Sequence, residues 1–150
     1  MALIDPRRGE VWRVDLEPTR GAEMQKTRPA IVLSRAGVGR LPLRLIVPLT
    51  GWDERFAGSA WLVRVDPAAG SGLTKPSAAD AFQVRGAALE RFGDRLGTLP
   101  DEAVTRIVEA VALTIGHRPP VAPASPLTPS AAEGESGNGA RQTRAEDQQP

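Results

Sequence analysis

Short apolar runs alternate with polar loops rich in glycine and proline over the first 96 residues, and this pattern restricts the chain to a mainly β fold. In residues 10–16, Trp12, Val14 and Leu16 occupy every second position, which is the period of a half-buried strand. Similar runs predict strands at residues 30–33, 43–50, 61–65, 81–85 and 95–96, with one helical turn at residues 87–92.

The period changes at Pro100, where a single amphipathic helix is predicted. Proline suits a first helical turn, Asp101 and Glu102 favour the positive end of the helix, and Gly116 is a stop signal. The apolar face is formed by Val104, Ile107, Val108, Val111 and Ile115. Short strands followed by one helix predict a mainly β chain of the α+β class: a small antiparallel barrel or strongly curved sheet with a C-terminal helix.

The side-chain pattern within the predicted strands carries further expectations. Residues 30–33 are apolar throughout and should be buried on both faces. Pro48 lacks an N–H group, so its end of the third strand should be an edge or a bulge. Trp61 should lie on the apolar side of the fourth strand, and Phe82 should lie on the opposite side of the fifth strand from Gln83.

Composition excludes several classes of protein. The chain has 19 basic and 18 acidic residues and a formal charge of +1, so any binding of nucleic acid must use a local basic face. Without cysteine there is no disulfide scaffold, thiolate nucleophile or cysteine-based metal site. No signal peptide or membrane-spanning run is present in the sequence, which fits a cytoplasmic protein.

A change of composition after residue 117 predicts two regions. Residues 1–117 are long enough to form one folded domain. Residues 118–150 contain five prolines between 119 and 129 and then glycine, serine, glutamine and mixed charge. Because Val121 and Leu127 are the only bulky apolar residues there, this stretch is predicted to be a disordered tail.

A long polar loop separates the first two predicted strands, and side chains between two anchored strands are a common location for chemistry. Pro18 and Gly21 interrupt this loop. Its charged residues include Arg20, Glu23, Lys26 and Arg28. Charge alone favours a solvated loop without a function.

Three blocks of sequence around this loop together resemble the start of the MazF/PemK family of toxin endoribonucleases. They are GEVW at residues 9–12, DLEPTRGAE at 15–23 and TRPAIVLS at 27–34. The family pattern is G-[DE]-[IV]-[WY], then D-[LF]-x-P-[TV]-x-G-[SA]-E, then R-P-[AV]-[LIV]-V-[LIV]-S. The resemblance covers residues 8–117 and implies an SH3-like barrel with a C-terminal helix.

The resemblance implies cleavage of single-stranded RNA with no metal or cofactor. The ribose 2′-hydroxyl would attack the neighbouring phosphorus, leaving a 2′,3′-cyclic phosphate and a 5′-hydroxyl. Arg28 matches the family's catalytic arginine, and we interpret it as a phosphate clamp or general acid. Thr50 matches a catalytic hydroxyl, with a strand cap as the alternative. Glu23 matches the loop glutamate, which could accept the proton or orient Lys26 or Arg28 in an ion pair.

Other residues are candidates for holding the RNA. Gln83 and Arg85 resemble a [DE]-Q-[IV]-[RK] segment that lines the substrate groove in the family, although Phe82 replaces the usual acid. Trp52 and Phe56 could stack on unpaired bases or pack beneath their loop. The remaining candidates are the basic residues Arg20 and Lys26, with Arg55 beside the aromatic pair. The single histidine, His117, is interpreted as a helix-terminal residue rather than a catalyst.

The implied partners are single-stranded RNA, a second copy of the chain in a homodimer, and an antitoxin with an acidic, extended segment. No membrane partner is expected. Two alternatives stay open: a gyrase-binding toxin without enzymatic activity, and an RNA- or protein-binding module that has lost activity. Arg28, Glu23 and Thr50 argue against the first alternative, whereas Phe82 keeps the second open.

Overall fold

Seven antiparallel strands and one α-helix make up the described part of this computed structural model, residues 4–36 and 40–117. The strands are β1 (Glu10–Asp15), β2 (Thr27–Val32), β3 (Leu43–Gly51), β4 (Leu62–Val65), β5 (Ser77–Asp80), β6 (Arg85–Ala88) and β7 (Phe92–Thr98). The helix α1 spans Asp101–Thr114, and short 3-10 turns occur at Glu54–Phe56, Ala81–Gln83 and Leu89–Arg91. The tail predicted at residues 118–150 lies outside the described residues.

The strands form one sheet in the order β4-β5-β3-β2-β1-β7, with β6 also paired to β3. All the pairings are antiparallel. Within the described residues β4 and β7 do not pair with each other, so the sheet is open rather than a fully closed barrel. The predicted class, a mainly β fold with an antiparallel sheet and a C-terminal helix, is confirmed.

The strand β3 is central, and the prediction that Pro48 marks an edge or a bulge was wrong. On one side β3 pairs with β2 through residues 46–48; on the other it pairs first with β6 through 43–46 and then with β5 through 49–51. Leu33 N–H donates to the Leu45 carbonyl, so the backbone N–H and C=O groups of the odd-numbered residues of β3 point toward β2. The backbone nitrogen of Pro48, an even-numbered residue, therefore points toward the strands on the other side of β3. Its missing N–H therefore falls in the interval between two partner strands.

The predicted fifth strand at residues 81–85 was also wrong. Asp80 ends β5, and its Oδ1 accepts the Phe82 N–H at 3.1 Å. This local bond starts the 3-10 turn Ala81–Gln83, because an aspartate that binds a nearby backbone N–H competes with strand pairing. The exposures are reversed as well, since Phe82 is 62% exposed and Gln83 is half-buried.

Two apolar clusters cover the two faces of the sheet. One packs β-strand residues against α1 and includes Val11, Ile31, Val47, Val104 and Ile107. The other includes Trp12, Val14, Ala30, Val32, Ile46 and Phe92. Alternate residues of β2 belong to different clusters, so this strand is buried on both faces as predicted.

The helix α1 ends as the glycine signal predicts. Gly116 has φ of 85°, its N–H donates to the Leu113 carbonyl at 3.0 Å, and the His117 N–H donates to the Ala112 carbonyl at 2.8 Å, which is a Schellman arrangement. Ile115, predicted on the apolar face, is 72% exposed because it lies beyond the last helical residue. None of the helices in the described residues has the length and hydropathy needed to span a membrane.

Candidate active site

Arg28 and Thr50 lie together on neighbouring strands. Ala30 pairs with Pro48 across β2 and β3, and the same antiparallel register two residues further along places Arg28 opposite Thr50. Arg28 Nη1 lies 3.4 Å from Thr50 Oγ1. Both residues are half-buried, so an arginine and a hydroxyl are presented side by side at the ends of two anchored strands.

The guanidinium of Arg28 is also held by the loop that precedes β2. Its Nε donates to the Gln25 carbonyl at 2.8 Å, a shorter contact than that to Thr50. No carboxylate forms an ion pair with Arg28 in residues 4–36 and 40–117. An arginine has five N–H donors in a planar fork, so several of them are available for an anionic oxygen.

An open groove of about 540 Å³ is lined in part by the loop that precedes β2, although neither Arg28 nor Thr50 is among its lining residues. Three of the predicted site residues line it, namely Glu23, Gln83 and Arg85. Its other walls include Leu16, Met24, Pro48 and Phe82. Pro48 lies two residues before Thr50 on β3 and therefore shares its face of the strand, so Thr50 lies on the side of the sheet on which the groove opens.

Glu23 is exposed on the loop and does not form the ion pair that the sequence left open. Its Oε1 accepts the Arg20 N–H, and its own N–H donates to the Arg20 carbonyl at 3.0 Å. Within the described residues it pairs with neither Lys26 nor Arg28. Its carboxylate closes the loop turn and lines the groove at the same time.

The base of the loop is closed at Lys26. This residue has φ of 74°, the one positive value at a non-glycine residue in the described part of the chain. The left-handed conformation, uncommon outside glycine, turns the Lys26 N–H toward Glu17 Oε2 at 2.8 Å and its carbonyl toward the Leu16 N–H at 3.0 Å. Hydrogen bonds lower the pKa of Glu17: that from the Lys26 N–H has the largest effect, and that from the Thr19 hydroxyl the next largest.

Gln83 and Arg85 hold the loop as well as lining the groove. Gln83 Oε1 accepts the Met24 N–H at 3.0 Å and Gln83 Nε2 donates to the Ala22 carbonyl at 3.1 Å. Arg85 Nη1 donates to the Leu16 carbonyl at 3.1 Å. The family resemblance implied that these two residues line a substrate groove, and nothing in the sequence indicated their contacts with the loop backbone.

Four of the basic residues in and near the loop form no ion pair within the part of the chain that the structure describes. Arg20, Lys26, Arg28 and Arg85 form no ion pair in the described ranges, where the ion pairs involve other basic residues. Arg55, by contrast, is bound by Asp53 at 3.0 Å. These four basic side chains, without carboxylate partners, are available to an anionic ligand, while Asp15, Glu17 and Glu23 in and near the same loop add negative charge.

Trp52 and Phe56 pack against each other in the second loop. Their ring centroids are 5.8 Å apart in an edge-to-face arrangement. The Arg64 guanidinium lies 5.3 Å from the Trp52 ring, and Trp52 Nε1 donates to Glu54 Oε2 at 3.1 Å. Trp52 already has aromatic, cationic and hydrogen-bonding partners within its own loop and β4, the arrangement expected of the packing alternative.

A second aromatic pair was missed by the sequence analysis. Trp61, predicted on the apolar side of a strand, lies just before β4 and is 40% exposed. Its ring meets Phe82 edge to face at a centroid distance of 5.6 Å. The capping signal at Asp80, an aspartate just before the 3-10 turn, could have shown that Phe82 leaves the sheet.

Arg91 is another residue that the sequence did not single out. Its Nη1 donates to the Asp15 carbonyl at 3.1 Å and to the Glu17 carbonyl. No local motif marks an arginine that binds backbone 74 and 76 residues away. Among residues 4–36 and 40–117, no group of three or more histidine, aspartate and glutamate side chains is placed to hold a metal ion.

The fold is shared with solved toxin structures. An endoribonuclease from a mycobacterial species, solved in complex with its cognate antitoxin, matches with a TM-score of 0.60 and 22% identity. The match covers 77% of this chain and 100% of that one. The described part of the chain therefore has the sheet-and-helix fold of this class of small toxins.

Sequence comparison gives the family. Residues 7–115 match the family described as PemK-like, MazF-like toxin of type II toxin-antitoxin system. Endoribonuclease MazF9 of Mycobacterium tuberculosis is 33% identical over 113 residues, covering 71% of this chain and 93% of that protein. Endoribonuclease PemK of Escherichia coli is 30% identical over 106 residues, with coverages of 69% and 77%. The chain belongs to the PemK-like, MazF-like family of toxins, which confirms the resemblance seen in its sequence.

Proposed function

We propose that this protein is a toxin endoribonuclease that cleaves single-stranded RNA. The observation that carries the proposal is the contact between Arg28 and Thr50 at the ends of neighbouring strands. An arginine and a hydroxyl beside an open groove with unpaired basic side chains suit a phosphodiester. The names of the curated relatives, both endoribonucleases, support the same activity.

In the proposed reaction the ribose 2′-oxygen forms a bond to phosphorus while the bond from phosphorus to the 5′-oxygen breaks. Arg28 binds the phosphoryl oxygens and Thr50 donates a hydrogen bond to one of them, which stabilises charge that develops in the transition state. Glu23 is the proposed acceptor of the 2′-hydroxyl proton. Its carboxylate lines the groove and belongs to the same loop that leads to Arg28. Arg28 is the proposed proton donor to the leaving oxygen.

The proposed RNA contacts follow the groove and its rim. Arg20, Lys26 and Arg85 supply positive charge along the path of the backbone. Phe82 forms part of the groove wall, so the position at which the family usually has an acid is apolar here. Trp52 and Phe56 are retained as proposed rim contacts.

The proposal extends to the assembly and the location of the protein. The proposed partners are a second copy of the chain and an antitoxin whose acidic segment occupies the groove in place of RNA. An antitoxin complex is known for the mycobacterial endoribonuclease of similar fold. Residues 1–117 are the proposed catalytic domain, residues 118–150 a separate tail, and the cytoplasm the proposed location.

The test is the chemistry of the RNA ends. Purified protein is incubated with single-stranded RNA in EDTA, and the product ends are mapped by sequencing and by enzymes that discriminate cyclic phosphates. We expect 2′,3′-cyclic phosphate and 5′-hydroxyl ends with the wild type, and at least about 100-fold fewer of them with Arg28→Ala. Arg35→Ala is the matched control, because Arg35 is an exposed arginine that does not line the groove. Intact RNA with the wild type, or cleavage only when a divalent ion is added, would overturn the proposal, and gyrase stalled without RNA cleavage would favour the non-enzymatic alternative.

A further inference from the structure

Gln83 uses both polar atoms of its side chain on the backbone of the loop that leads to Arg28. Its Oε1 accepts the Met24 N–H at 3.0 Å, and its Nε2 donates to the Ala22 carbonyl at 3.1 Å. The half-buried side chain is thus held at both ends of its amide. A direct contact with an RNA base would compete with these bonds.

These two hydrogen bonds connect the loop to a residue that is 59 to 61 positions away in the sequence. Its base is closed locally, through the contacts of Lys26 with Leu16 and Glu17, and its tip is closed by Glu23 and Arg20. In the described part of the chain, Gln83 makes the only hydrogen bonds that reach residues 18–26 from outside residues 15–28. Loss of the Gln83 amide would therefore remove the hydrogen bonds that tie the second half of the loop to the rest of the molecule, and would leave it held by the contacts at Lys26 and by the packing of Met24 against the apolar cluster that includes Trp12.

The second half of the loop in turn orients the guanidinium of Arg28. Gln25 follows Met24 directly, and its carbonyl accepts the Arg28 Nε–H at 2.8 Å. The contact of Arg28 with Thr50 at 3.4 Å is long for a hydrogen bond and restrains the guanidinium weakly. The orientation of Arg28 thus depends mainly on where the loop places the Gln25 carbonyl.

We propose that Gln83 is a positioning residue that fixes the Arg28 guanidinium through the backbone of residues 22–25, rather than a residue that binds RNA. This inference rests on the proposed function, because it assigns Gln83 a part in RNA cleavage. A misplacement of about 1 Å can cost about 100-fold in rate, so a side chain that does not touch the substrate can still control turnover.

The first measurement needs no substrate. Hydrogen exchange of the Met24 amide is followed by NMR in the full-length protein and in two variants. Gln83→Leu removes both bonds, and the Met24 amide should exchange faster by about tenfold or more. Gln83→Glu keeps an acceptor for the Met24 N–H but loses the donor to the Ala22 carbonyl, so its Met24 amide should exchange at a rate between those of the wild type and Gln83→Leu; it also serves if the leucine variant does not fold. Val111→Ala, which perturbs the core beside α1, should leave Met24 exchange unchanged.

The second measurement separates positioning from binding. On a single-stranded RNA oligonucleotide, Gln83→Leu should lower kcat by about 10- to 100-fold with KM within about twofold of the wild type, and the cleaved sequence should be the same. A raised KM at unchanged kcat, or a new cleavage sequence, would show that Gln83 binds RNA and would overturn the inference. Unchanged Met24 exchange in Gln83→Leu would also overturn it, whereas a wild-type protein that leaves RNA intact would overturn the proposed function instead.

Discussion

Arg28 Nη1 and Thr50 Oγ1 lie 3.4 Å apart across the ends of two neighbouring strands. Among the contacts within residues 4–36 and 40–117, only the Nε of Arg28 is engaged in a short hydrogen bond, to the Gln25 carbonyl at 2.8 Å. The remaining donors of the guanidinium and the hydroxyl of Thr50 can therefore bind the oxygens of one phosphate. This shared target is the basis of the proposed nuclease activity.

Replacing Arg28 by alanine should abolish most of the cleavage without unfolding the protein. Loss of a donor that stabilises a charged transition state typically costs about 10²- to 10³-fold in kcat. Arg28 is half-buried at a strand end and belongs to neither apolar cluster, so we expect a change of about 1 kcal/mol or less in the free energy of unfolding. Cleavage rates and urea denaturation measure the two effects.

Arg28→Lys tests whether the positive charge of Arg28 is sufficient for cleavage. It keeps the positive charge but loses the planar fork of donors, so its activity should lie between those of the wild type and Arg28→Ala. Wild-type turnover in the alanine variant would remove Arg28 from the mechanism.

Thr50→Val removes a hydroxyl while keeping a β-branched side chain of similar volume. We expect a loss of about 10-fold or more in kcat, because the phosphate would lose one hydrogen-bond donor, and little change in the melting temperature. Thr50→Ser should recover most of the activity. A fully active valine variant would leave Thr50 as a strand cap only.

The sequence predicted the parts of the fold that depend on apolar periodicity. The alternation in β1, the continuous burial of β2 and the helix α1 all follow from the spacing of apolar residues along each segment. The errors lie where one local interaction opposes that pattern. Asp80 binds the Phe82 N–H and ends a strand. Pro48 is accommodated because β3 changes its partner strand there, and the residues around Pro48 give no indication of that change.

In the candidate site, too, some contacts could be predicted from the sequence and others could not. Arg28 and Thr50 could be expected to meet because both stand at the ends of strands that the motifs place side by side. The contacts of Gln83 and Arg91 with the loop join residues 59 to 76 positions apart. Contacts of this kind depend on the path of the loop, which includes the left-handed Lys26, and periodicity does not reveal them.

The pKa of Asp80 gives a prediction about pH and stability. Burial raises the pKa of Asp80 above its usual 3.8, although the bond from the Phe82 N–H acts in the opposite direction. A carboxyl whose pKa is raised on folding disfavours the folded state once it ionises, so its contribution becomes less favourable as the pH rises above the unfolded pKa. Asp80→Asn keeps an oxygen for the Phe82 N–H and removes the charge.

We therefore expect the melting temperature of Asp80→Asn, relative to the wild type, to be higher at pH 7 than at pH 3. Thermal unfolding followed by circular dichroism at both pH values measures the difference. A relative melting temperature that falls over this range would show that ionised Asp80 stabilises the protein.

Deletion of residues 118–150 should leave the melting temperature within about 2 °C of the full-length value. The reason is that α1 and its glycine termination are complete by His117, so all the elements of both apolar clusters lie before the deleted segment. Differential scanning calorimetry of the two forms provides the measurement. A fall of many degrees would show that the deleted residues contribute to the core.

The claim that Arg28 and Thr50 act on one phosphate is tested most directly by a double-mutant cycle. Cleavage rates of a single-stranded RNA are measured under single-turnover conditions for Arg28→Ala, Thr50→Val and the double variant. If both side chains serve the same group, the double variant should lose far less activity than the product of the two separate losses. Separate losses that multiply in full would mean that the two residues act independently, and would contradict the shared site.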